Sequence, residues 1–80
     1  MEEITITISG KSGSGKSTIL YLFKEFLKHH DFDTEFDGGL DFYNEKQFDS
    51  VLQSNIKDKT EIVRKKTKIV FKEQNIYNIK

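Results

Sequence analysis

Eight residues near the start of the chain, Gly10-Lys11-Ser12-Gly13-Ser14-Gly15-Lys16-Ser17, fit the spacing G-x-x-x-x-G-K-[ST] at every fixed position. These residue types at this spacing suit one task, the holding of phosphate groups. Gly10, Gly13 and Gly15 open backbone conformations closed to other residues and let the main chain approach a ligand closely. The N–H groups of such a loop turn inward and cradle phosphate oxygens. A helix starting near Lys16 adds its positive N-terminal end to the same spot. Lys16 is then the flexible cation for β- and γ-phosphates. The Ser17 hydroxyl is placed for Mg²⁺, and Thr18 for an α-phosphate oxygen.

The flanking segments supply the elements such a loop requires. Ile4-Thr5-Ile6-Thr7-Ile8 alternates strictly in β-branched residues, which predicts a strand running into the loop. From Lys16 to about His30, Ile19, Leu22, Phe23, Phe26 and Leu27 recur at helical spacing, with Lys24, Glu25 and Lys28 on the opposite face. Lys28, His29 and His30 suit the negative end of that helix, and adjacent histidines point apart, which disfavours a shared metal. Phe32 to Asp37 alternates again and predicts a second strand, stopped by Gly38-Gly39. Asn44 with Gln47 forms a capping pair for a second helix carrying Phe48, Val51 and Leu52. Thr60 to Lys66 fits a short helix or a strand equally. Thr67 to Glu73, centred on Ile69-Val70-Phe71, predicts the third strand, and the tail from Gln74 has no assignment. The order β-loop-α-β-α-β predicts an α/β fold: a short, mostly parallel sheet of about three strands with two helices, in two or three layers, as one domain over residues 1–80.

Over residues 3 to 41 the chain resembles the P-loop NTPases, and most nearly the very short P-loop proteins found in phage genomes. The resemblance implies a nucleotide on the loop from Gly10 to Thr18, with ATP, GTP or a related phosphorylated ligand as the cofactor and Mg²⁺ at Ser17. It also implies an acid after an apolar strand, aimed at the metal. The apolar run Ile69-Val70-Phe71 is followed instead by Lys72, and Glu73 falls on the other face of the strand. Asp37 and Asp41 flank Gly38-Gly39, where related small-molecule kinases place a substrate-binding acid; a turn role beside glycine is the favoured reading of both. Arg64, the sole arginine, either reaches a phosphate or belongs to a solvated basic face. Tyr21, Tyr43 and Tyr77 are candidates for stacking on a base. An intact phosphate loop without the usual hydrolytic parts points to a protein that binds or sequesters a nucleotide or a nucleotide-derived signal. The alternative is a minimal ATP or GTP hydrolase or small-molecule kinase using Lys16 and Mg²⁺ on Ser17. A scaffold in which the loop holds a protein's phosphate or carboxylate is a third reading.

Composition bounds these readings. The chain has 80 residues, 13 basic and 13 acidic side chains, and no cysteine or proline. One small domain fits this length. Lack of cysteine excludes disulfides, thiolate metal sites and cysteine nucleophiles, and favours a cytoplasmic setting, the host cytoplasm for a phage product. No apolar run approaches a membrane span, and Met1-Glu2-Glu3 opens no signal peptide. A net charge of zero argues against general nucleic-acid binding. That neutrality hides a division. Residues 31 to 49 hold seven acids and one lysine, whereas residues 57 to 72 hold seven bases and two acids. Exposed sheet edges and a small core predict a homo-oligomer, most simply a two-fold dimer.

Overall fold

The computed structural model of the chain describes residues 2–39 and 41–74. Three helices carry the architecture: α1 (Lys16–His29), α2 (Glu45–Gln53) and α3 (Ile56–Lys66). α1 packs against both of the others.

The expected α/β fold is overturned: the described residues contain no strand and no sheet. The three segments expected to pair, 4–8, 32–37 and 67–73, carry no ladder. Their alternating β-branched and aromatic residues favour an extended backbone, but a strand is stabilised only by cross-strand partners, and β-propensity yields to tertiary context. Here helices take the places beside α1. Segment 60–66, readable either way in the sequence, belongs to α3, whose Val63 is buried. Ile4 is left 88% exposed, while Phe71 of the last segment meets α1 edge-on through Phe23 at 5.8 Å between ring centroids.

Local signals set the helix ends. Asn44 caps α2 by accepting from the Gln47 N–H at 2.8 Å, and Gln47 Oε1 reaches back to the Tyr43 N–H, as the Asn/Gln spacing predicts. α1 closes with Asp31 in the left-handed region at φ 65°. Its N–H donates to Lys28 O, and the Phe32 N–H donates to Leu27 O, so two orphan carbonyls are satisfied.

The core is small and centred on Phe48, which is fully buried. Tyr21 and Leu52 are buried beside it, and the rings of Phe36 and Phe42 lie 4.6 and 4.8 Å from its own. α1 turns a different face inward from the one its apolar spacing predicts. Thr18, Tyr21 and Lys24 are buried, while Leu22 and Phe26 are exposed. Lys24, expected on the solvated side, is only 7% exposed. Its ammonium lies 2.7 Å from Asp49 Oδ1 and 3.0 Å from Glu45 Oε2, both on α2, and 5.7 Å from the centre of the Tyr21 ring. Lys28 also pairs with Glu45.

These pairs set the pH response. Burial opposes the charge on Lys24, but hydrogen bonds to Asp49 and Glu45 outweigh it and hold the ammonium above its ordinary range. Its contribution is therefore complete below its ordinary pKa of 10.5 and is lost only as pH rises through the raised value. Hydrogen bonds from Lys28 and then Lys24 pull Glu45 below its ordinary 4.5. Its contribution is complete above that value and is lost as pH falls through the lowered one. Thermal unfolding followed by circular dichroism should therefore show Tm falling below about pH 4.5, the usual glutamate range, with a shallower acid limb in Glu45→Gln. Lys24→Ala leaves the half-buried Asp49 without its cation, while Glu45 keeps Lys28, and should cost about 1–3 kcal/mol at neutral pH.

Candidate functional site

The glycine-rich loop leads directly into α1. Gly15 is the residue before the helix, at φ 100°, and Gly13 lies at φ 81°; both conformations favour glycine. Ser14 N–H donates to Lys11 O at 3.1 Å, closing a tight turn. Among the described residues no side chain caps the first turn of α1. Beside this helix start lies a cavity of about 350 Å³ lined by Ser12, Gly13, Gly15, Lys16, Ser17, Thr18 and Asp41. Lys16 folds back over the loop, and its Nζ donates to Gly10 O at 2.8 Å.

The end of α3 holds this loop from the other side. Val63 packs so tightly on Gly15 that a Cβ there would meet its Cγ2 at 2.5 Å. Thr67 Oγ1 donates to Ser14 O at 2.7 Å, and Lys66 Nζ donates to Gly13 O at 2.8 Å. Neither Lys66 nor Thr67 stands out in the sequence as a loop residue. Each is more than fifty positions away, and the signal that points to them is the basic last turn of α3, Arg64-Lys65-Lys66.

The structure sorts the other candidates. Six of the nine loop residues line the cavity; Gly10 and Ser14 contribute carbonyls, and Lys11 closes the turn. Asp41 joins them. Asp37 does not: its Oδ1 accepts the Gly39 N–H at 2.9 Å, which makes it a turn residue. Arg64 pairs with Glu61 on its own helix and lines a neighbouring apolar cavity of about 240 Å³ with Ile19, Leu22, Val63 and Ile69. Thr18, 5% exposed, borders both cavities. Tyr21 is spent in the core against Phe48, Tyr43 is 93% exposed, and Tyr77 lies outside the described residues. Glu73 sits in the exposed extended segment rather than at the loop cavity. The segment that enters the loop carries no ladder, so the expected sheet strand is absent there.

Ser17 and Asp41 line the same cavity, and a hydroxyl and a carboxylate are hard oxygen donors of the kind Mg²⁺ takes. Among the described residues no three His, Cys, Asp or Glu side chains cluster as a metal site of their own. Mg²⁺ usually takes one or two protein oxygens and completes its shell with phosphate and water.

No helix among the described residues is long and apolar enough to cross a membrane. No protein family, curated protein or solved structure matches the chain.

The Gly15–Val63 contact makes a testable pair. Gly15→Ala combines left-handed strain with a steric clash, whereas Gly13→Ala meets open space and carries the strain alone. Gly13→Ala should cost about 1–2 kcal/mol, and Gly15→Ala clearly more. Adding Val63→Ala to Gly15→Ala should recover part of the loss, giving a favourable coupling in a double-mutant cycle read by urea denaturation.

Proposed function

We propose that the chain binds the phosphate groups of a nucleotide or nucleotide-derived signal at the loop from Gly10 to Thr18, and holds that ligand without rapid turnover. One observation carries this reading. The motif's lysine arches over a glycine-rich turn and rests on Gly10 O, beside the uncapped N-terminus of α1. An ammonium held only by a neutral carbonyl gains direct charge–charge attraction when it moves to an anionic oxygen. Uncapped helix N–H groups and the helix dipole favour the same anion. The apolar cavity that shares Thr18 with the loop offers a place for the base or sugar beyond the phosphates. Mg²⁺, when bound, would be held by Ser17 and Asp41 and would neutralise phosphate charge.

A thermal-shift panel of ATP, GTP, their diphosphates and cyclic nucleotides tests this. A ligand at a hundred times its Kd stabilises the native state by about 2.7 kcal/mol, which raises Tm by about 10 °C or more in a domain of this size. Lys16→Ala should abolish the rise. A panel with no response removes the nucleotide reading.

Asp41 favours a second reading, a minimal ATP or GTP hydrolase or small-molecule kinase. It is the one carboxylate lining the loop cavity among the described residues, where it can orient water or an acceptor hydroxyl. Turnover of labelled ATP or GTP above about 1 per second, lost in Lys16→Ala and Asp41→Asn, would establish the enzyme and exclude the simple binder.

A two-fold dimer belongs to the same proposal, on different grounds from sheet edges. Leu22, Phe26 and Ile62 are exposed large apolar residues on helices of one small domain, and Phe71 adds another on the last segment. Sedimentation at micromolar concentration should give a dimer, and Phe26→Glu should shift it to monomer without loss of helicity.

A further inference from the structure

We propose that Lys66 is a second phosphate-binding cation, delivered to the loop in cis from the last turn of α3. The inference rests on the phosphate-binding reading above. Lys66 Nζ donates to Gly13 O at 2.8 Å, and Lys16 Nζ donates to Gly10 O at the same distance. The loop therefore carries one ammonium on its first glycine and another on its middle glycine. Each donates to a neutral carbonyl rather than to an anion. An anion arriving at the start of α1 offers both a better partner.

The surroundings allow Lys66 to make that exchange. It is exposed, and its flexible stem can swing without disturbing the core. Gly13, whose carbonyl holds the Lys66 ammonium, is itself one of the residues lining the cavity. α3 does not depend on Lys66 for its attachment to the loop. Thr67 Oγ1 remains on Ser14 O and Val63 remains on Gly15. Arg64, the neighbouring cation, is engaged by Glu61. Two cations straddling one loop match an anion longer and more highly charged than a single phosphate, namely a chain of linked phosphates. The cation that completes the site comes from residues whose distance in sequence exceeds fifty positions.

Calorimetric titration with sodium triphosphate and with inorganic phosphate tests this in the wild type and in Lys66→Gln, Lys66→Arg and Lys16→Ala. Lys66→Gln keeps a donor for Gly13 O and removes the charge. It should weaken triphosphate binding about tenfold, the value of one hydrogen bond between charged groups, and weaken phosphate binding far less. Lys66→Arg should retain triphosphate affinity, and the Tm of the free protein should be little changed in either variant. Lys66→Gln binding triphosphate as the wild type does, equal losses for both anions, or loss in Lys66→Arg as well would each overturn the role of Lys66. Failure of the wild type to bind either anion would instead remove the phosphate-binding reading, and the inference with it.

Discussion

The burial of one ammonium, that of Lys24, decides how α1 is turned, and the rest of the molecule follows. An ion removed from water needs partners close at hand, and α2 supplies them in Glu45 and Asp49. A residue three positions earlier is a neighbour on the helix surface, so Tyr21 is drawn inward with it, and Thr18, three positions before Tyr21, is buried as well. Tyr21 meets Phe48 and completes the core, while Thr18 is carried to the wall between the two cavities. The strongly apolar row of Leu22 and Phe26 is left facing outward. The rotation that satisfies a charge has displaced one that would have buried more hydrocarbon.

The features legible in the sequence are those whose causes lie within a few residues. Gly13 and Gly15 mark positive φ because no other residue adopts it cheaply. Asn44 and Gln47 mark a helix start because each reaches a backbone group at that spacing. The sheet was the opposite case. Alternation at Ile4 to Ile8 expresses what one segment permits, whereas a ladder depends on a second segment arriving in register. α3 has too few apolar residues to declare its period, and its one buried residue, Val63, packs on Gly15, far away in the sequence. Asp37 and Asp41 flank the same pair of glycines and read alike, yet a hydrogen bond to Gly39 N–H engages one and the cavity takes the other. Nothing local distinguishes them. The loop was therefore readable, but the identity of its neighbours was not.

Zero net charge turns out to be the sum of two local arrangements. The acidic middle of the chain places Glu45 and Asp49 on the lysines of α1. The basic last third places Lys66 on the loop carbonyls, where it meets dipoles rather than full negative charges. The first arrangement is neutralised within the protein. The second gathers the ammonium groups of Lys16 and Lys66 at a glycine-rich turn beside a helix N-terminus, where the proposed anion would meet groups from two helices.

The two ends of the chain depart from that same region. The N-terminal arm reaches the loop at Gly10, and the C-terminal arm leaves α3 at Thr67, whose hydroxyl already grips Ser14 O. A tension applied across the termini is thus delivered to the contacts of Val63, Lys66 and Thr67 with the loop before it reaches the aromatic cluster around Phe48. Mechanically, the loop and the tip of α3 form a clasp in series with the ends, and the helical core lies behind it. On the proposed reading, a ligand bound at the loop tightens this clasp and stiffens it against pulling.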